Sequence, residues 1–306
     1  MRNRFTGAMV AATIAAAAAV VSLSVTPIAG QAPAAPAPAA GQGRAAGAGR
    51  GAAAAPAARL ARIGKAPNIN GIYQAINSAN WSLEDHSAAD LKQFWQLGAI
   101  AAMPAGMTVI DGDGKIPYKP EALKVREANR KGWPKTDPEA KCYMPGIPRA
   151  NYMPYPFQIV QGNKDILFVY EFASANRIVH MNSKSESPVD SWMGWANGRW
   201  QGDTLIITND GFNEHSWFDR AGNHHGNQLK VEERFTPRGE AGAAAGTGPT
   251  ALWYEATMTD TETFTRPWKI SMYLYRKLEP NAQLLEFKCV EFSEELLYGD
   301  LKKKTE

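Results

Sequence analysis

Three of the five histidines, His215, His224 and His225, fall between Asn209 and Asn227, together with Asn213, Trp217 and Asp219. A histidine oriented by a carboxylate is the minimum equipment for general acid–base chemistry, because imidazole changes charge near neutral pH. His225 is the strongest candidate for that role. It follows Gly222-Asn223 and shortly precedes a β-rich run carrying Glu233. His225, Asp219 and Glu233 are therefore the candidate catalytic residues. The plain alternative is a loop histidine that bonds the backbone and ties the loop to a sheet. On a strand, Glu232 and Arg234 share one face and Glu233 takes the other. An inward Glu233 needs a partner, since a lone buried charge is costly, and Arg266 or His225 could supply it.

The same histidines with Asp219 could hold a metal, but no HExxH or similarly spaced motif is present. Adjacent His224 and His225 would also point to opposite sides of an extended segment. The sequence predicts no metal and no cofactor. Neither Ser191 nor Ser216 lies in a nucleophile elbow, and the glycines fit turns rather than a phosphate loop.

Four of the nine tryptophans, Trp192, Trp195, Trp200 and Trp217, cluster around the same region. Core packing is the common role for such residues. Several are flanked instead by Gly, Asn and Asp, and aromatic faces beside amides suit sugars or aromatic rings. Trp192, Trp200, Asn213, Trp217 and Arg266 are the candidate ligand-binding residues. Two functions follow. One is an exported barrel-like protein binding a small organic ligand, a carbohydrate or an aromatic compound, in a Trp-lined pocket. The other is a hydrolase, lyase or isomerase using His225 with Asp219 or Glu233.

These residues need strands to position them. Gly198–Gln201 and Thr204–Thr208 flank Gly202-Asp203, a hairpin signal. A polar loop follows to Asn227, and Leu229–Phe235 resumes a strand. Short β-rich runs also cover Phe157–Gln161, Ile166–Glu171, Arg177–Met181, Ala251–Thr259, Trp268–Leu278 and Leu284–Glu291. In Trp268–Leu278 the residues Ile270, Met272 and Leu274 hold one parity and Lys269, Ser271 and Tyr273 the other, which is the period of a half-buried strand. No long helix alternates with these runs. The fold expected is mainly β: an antiparallel up-and-down barrel or curved sandwich over residues 157–306.

Residues 67–156 read as a helical and proline-rich extension. Asn68–Gln74 looks like a short strand, Ala88–Met103 has helical spacing, and Pro120 opens a helix through Arg130. Asp111-Gly-Asp113-Gly is a turn, since the twelve-residue calcium pattern is missing. Arg238–Pro249 reads as a hairpin tip and Glu294–Lys304 as a short terminal helix. Residues 1–30 match a secretory signal peptide, with Arg2 and Arg4 before the apolar run Ala8–Val21. That run is short and alanine-rich, which favours cleavage over anchoring. Residues 31–66 are a low-complexity linker.

Seven of the 33 Lys and Arg but none of the 30 Asp and Glu lie at or before Lys65, so the remainder is near −4. It has no basic stripe, which argues against nucleic acid as a partner. After cleavage no membrane partner is expected, and the location is periplasmic or extracellular. Cys142 and Cys289 are the two cysteines. Their spacing excludes a CxxC site, and in an oxidising compartment the pair is expected to bridge, joining the proline-rich segment to the last strand, with two buried free thiols as the alternative.

The segments at 137–149 (DPEAKCYMPGIPR), 198–205 (GRWQGDTL) and 224–235 (HHGNQLKVEERF) resemble a family of uncharacterised secreted proteins found in acidobacteria and some proteobacteria. The resemblance runs from about Asn68 to Glu291 and implies export and the domain extent. The family's histidine falls on His225. Its members usually carry an aromatic or other residue where His224 stands, and more often Tyr where His180 stands. The resemblance therefore points away from those two.

Overall fold

The computed structural model describes residues 61–90, 102–239 and 248–291. The expected signal peptide, most of the linker, the interior of the expected Ala88–Met103 helix, the Ala/Gly tip and the terminal helix lie outside them. Among the described residues, no helix is long and apolar enough to cross a membrane.

Two short antiparallel pairs lie outside the main sheet: β1 (Arg62–Ile63) with β2 (Ala66–Pro67), and β4 (Ala89–Asp90) with β5 (Ala102–Met103). The first pair falls where the linker was expected to continue. The second makes both ends of the expected 88–103 helix extended. The remaining nine strands are β3 (Gly71–Ala75), β6 (Phe157–Gln161), β7 (Asp165–Tyr170), β8 (Asn176–Met181), β9 (Trp195–Gln201), β10 (Thr204–Asp210), β11 (Lys230–Arg238), β12 (Ala251–Thr259) and β13 (Trp268–Arg276). They form a closed barrel in chain order, with β13 pairing back onto β3.

The closure corrects two expectations. The barrel does not start at residue 157, because β3 fills the gap between β13 and β6 through Leu274↔Ala75 and Tyr73↔Phe157. Nor is it wholly antiparallel. Strands of alternating direction close a ring only when their number is even. With nine, one neighbouring pair must run parallel, and it is β8 with β9 (Val179↔Ala196, Met181↔Gly198). The expected strand at Leu284–Glu291 is also absent: that stretch pairs with no ladder.

Within the strands the period of two decides burial. Val231, Glu233 and Phe235 of β11 face in, as do Leu252, Tyr254, Ala256 and Met258 of β12 and Ile270, Met272 and Leu274 of β13. The β9–β10 hairpin turns at Gly202, whose φ of +58° suits glycine at the first position of a two-residue turn. Aromatic rings in contact occupy the barrel interior: Phe157 with Tyr170 (5.4 Å), Phe168 with Phe235 (5.4 Å) and Phe235 with Tyr254 (4.9 Å).

Outside the barrel, α1 (Pro120–Gly132) begins at proline, as expected, with Glu121 in its first turn and Arg130 and Lys131 in its last. No residue of α1 is buried, so it lies on the surface. It rests on Gly222 (φ +85°), where a Cβ would come within 2.7 Å of the Arg130 backbone nitrogen. The proline-rich segment is pinned against the body by the buried residues Arg149, Asn151 and Tyr152. Cys142 and Cys289 form a disulfide, with Cα atoms 5.7 Å apart, that joins this segment to the tail after β13.

Candidate functional site

The three candidate catalytic residues are all buried, but each keeps separate company. His225 packs between the rings of Phe218 (5.3 Å) and Phe212 (6.2 Å). Its Nδ1 lies 2.8 Å from the Gly226 carbonyl and must donate to it. Nε2 is then the acceptor, and it receives the Ser216 hydroxyl at 2.8 Å. Burial lowers the His225 pKa, so the ring is neutral at pH 7.

Asp219 sits in the same loop and serves as its clasp. It accepts from the Leu83 N–H (2.8 Å), the Asn223 side chain (2.6 Å) and the Ala221 N–H (3.0 Å). Burial raises its carboxyl to about 6. Glu233 lies in the barrel. It accepts from Arg177 (2.5 Å), Asn151 (2.7 Å), Asn209 (2.7 Å) and Tyr254 (2.9 Å). The Arg177 guanidinium also stands 4.5 Å from the Phe168 ring centre. Glu233 meets neither His225 nor Arg266, which is exposed and paired with Asp113 at 3.0 Å. No catalytic constellation joins the three.

The expected ligand residues are also dispersed. Trp192 stacks on Tyr143 (5.0 Å, 16° between planes) and nears His215 (5.8 Å). Trp200 lies near the far end of β9, beside Arg62 and Asp203. Trp217 is buried and bridges to His224, and the Asn213 side chain accepts the His215 N–H. His224 stacks on Tyr118 at 5.4 Å, away from the His225 partners. Among the described residues, no group of three or more His, Cys, Asp or Glu is placed to hold a metal ion.

No protein-family model and no curated protein matches this chain. The site therefore rests on geometry alone, and geometry brings together residues far apart in sequence. Arg149, 1 % exposed, is the hub. It donates to Asn80 Oδ1 (2.9 Å), to Asp137 (3.1 Å) and to Glu139. Arg220 reaches the same Glu139 with two bonds, 2.9 and 2.8 Å. Burial alone would raise the Glu139 carboxyl, but Arg220 and Arg149 hold it down at about 2. Nearby, Arg126 pairs with Glu84 at 2.7 Å, and Glu84 also accepts the Ile116 N–H.

Of these residues Arg220, Arg126 and Glu84 line a cleft of about 890 Å3 between the 81–89 loop, α1 and Ala221. Trp81 and Trp133 line it side by side, with ring centroids 6.3 Å apart at 52°. The Arg220 guanidinium lies 4.5 Å from the Trp81 ring centre. Two half-buried indoles beside fixed guanidinium and carboxylate groups can stack a ring and orient its hydroxyls. Sequence reasoning missed Trp133, Arg149 and Arg220, and it passed over Ser216. The one local signal was Trp133, three positions past the predicted helix and directly before Pro134. For Arg220 there was none, since Glu139 lies 81 positions away, and Arg149 reaches Asp137 and Glu139, 12 and 10 positions away, only through the irregular backbone between them.

Proposed function

We propose that this is an exported binding protein that takes a small organic ligand, a carbohydrate or an aromatic compound, in the Trp81–Trp133 cleft. The observation that carries the reading is the contacting pair of indoles, 6.3 Å between centroids, in the wall of a cleft of about 890 Å3. That volume lies within the range of roughly 300–1,000 Å3 usual for ligand sites. The barrel interior is filled with rings, so this reading puts the ligand on the outer surface, away from Trp192, Trp200 and Trp217. Export is supported by the signal-peptide pattern, by the Cys142–Cys289 disulfide and by the resemblance to secreted proteins.

The test is a screen of sugars and aromatic compounds by tryptophan fluorescence and calorimetry, repeated with Trp81→Ala and Trp133→Ala. Loss of binding in folded variants supports the cleft. A ligand that binds both variants as it binds the wild type refutes it.

The enzyme reading keeps one observation in its favour, the Ser216–His225 hydrogen bond of 2.8 Å. Both residues are about 2 % exposed, so substrate reaches Ser216 only if the covering segment around Gly146 moves. Hydrolysis of the screened compounds that is lost in Ser216→Ala would favour the enzyme. No turnover by the wild type would remove this reading.

A further inference from the structure

We propose a second binding site, beside the cleft, that takes one neutral phenolic ring. Trp133 and Arg220 line the large cleft, and both also line a smaller chamber of about 190 Å3. The apolar walls of the chamber are Trp133, Pro134, Tyr155, Phe172 and Phe287. Three of these rings form a closed set: Phe172–Phe287 at 4.9 Å, Tyr155–Phe287 at 5.1 Å edge-on, and Tyr155–Phe172 at 5.5 Å.

Size selects the ligand first. An apolar cavity of about 150 Å3 accepts benzene. A chamber of about 190 Å3 takes one ring with a small substituent. A monosaccharide matches the volume less well in chemistry than in size. Its hydroxyls point all round the ring, and those that meet the five apolar walls would lack partners, which is costly.

Charge selects next. Asp137 and Glu139 both line the chamber, paired with Arg149 and Arg220, while Lys288, also in the lining, is exposed and pairs with Glu286 at 3.2 Å. Two carboxylates disfavour an aromatic acid. Asp137 Oδ1 takes Arg149 and the Glu139 N–H, whereas Oδ2 takes only Arg149 at 3.4 Å among the described residues. Each carboxylate oxygen has two lone pairs, so Oδ2 can accept a phenolic O–H.

The outer wall of the chamber is the tail, which belongs to no ladder. Phe287 in the ring cluster, the Leu285 N–H on Glu171 (2.8 Å) and the Cys142–Cys289 bond hold it in place. The chamber is therefore a site that exists while the disulfide is closed. It stands apart from the reading of the large cleft, because Trp81 does not line it.

The experiment titrates phenol, benzoate and methyl glucoside into the mature protein by calorimetry and saturation-transfer NMR. Phenol should saturate, and should bind more tightly than benzoate or the glucoside. Phe287→Leu and Phe172→Leu keep apolar bulk but remove the ring face, and each should weaken phenol roughly tenfold. The double variant Cys142→Ser/Cys289→Ser should weaken it at least as much. Trp81→Ala should leave phenol binding unchanged. The proposal is overturned if phenol fails to saturate, if benzoate binds as well, or if the Phe and Cys variants bind phenol normally. It is also overturned if Trp81→Ala abolishes phenol binding, which would put the ring in the large cleft. A sugar lost with Trp81→Ala while phenol never binds would sink this site and leave the cleft reading intact.

Discussion

Arg220 grips Glu139 through two hydrogen bonds of 2.9 and 2.8 Å, and Arg149 holds the same carboxylate from its other side. One acid thus joins the histidine-rich loop to the proline-rich segment and lines the smaller chamber beside the cleft. Glu139→Gln leaves two guanidiniums facing an uncharged amide. Breaking a buried pair of this kind costs about 3–5 kcal/mol. Thermal or denaturant unfolding should show that loss. A change under about 1 kcal/mol, the value of an exposed pair, would contradict the buried role.

Glu232 and Glu233 are neighbours with opposite fates. Glu233 is wholly buried against Arg177, while Glu232 is about 42 % exposed and pairs with Arg234 on the outer face. Glu233→Gln should cost about 3–5 kcal/mol, whereas Glu232→Gln should stay within about 0.5 kcal/mol of wild type. Urea denaturation of the two variants makes the comparison. Equal midpoints would contradict the inward placement of Glu233.

Acid should loosen the loop through its histidines. Burial, and then the neighbouring His225, lower the His224 pKa to about 4, against the ordinary 6.5. Between those values the unfolded chain binds a proton that the folded chain refuses, so this contribution to stability falls as pH drops from about 6.5 to about 4. Asp219, raised to about 6 by burial, works in the opposite direction over part of the same window. The clean measure is therefore the difference between wild type and His224→Phe, whose ring can keep the stack on Tyr118. The variant should lose less stability between pH 7 and pH 4. Parallel curves would show that His224 does not titrate as described.

The disulfide closes a loop of 147 residues. In the chain-entropy model that is worth about 5 kcal/mol. Cys142→Ser/Cys289→Ser should unfold at lower denaturant by about that amount. Neither cysteine lies in a barrel strand, so far-UV circular dichroism at 25 °C should be unchanged. Loss of the β spectrum would mean that the barrel depends on the bridge.

Much of the barrel was legible locally. The parity of Ile270, Met272 and Leu274 named the inner face of β13 before any pairing was known, because a strand has only two faces. Gly202-Asp203 named the tightest hairpin, and Pro120 the start of α1. The tail around Leu284–Glu291 misled, since a β-rich run becomes a strand only when an edge is free to pair with it. The closed barrel offers none.

The amino-acid sequence by itself determined the mainly β character, the strand faces, the helix start and the single pair of cysteines available to bridge. Each of these is a property of a few adjacent residues. Tertiary structure alone decided the ring closure through β3, the parallel β8–β9 contact that an odd strand count forces, and every polar partnership of consequence. Arg149 finds Asn80 across 69 positions, Glu233 finds Arg177 across 56, and Arg220 finds Glu139 across 81. A buried charge must have a partner, but nothing local says which one. That choice is made by the strands and loops that carry the two groups into contact. In this chain it separated His225, Asp219 and Glu233, and it brought Trp81, Trp133 and Arg220 together.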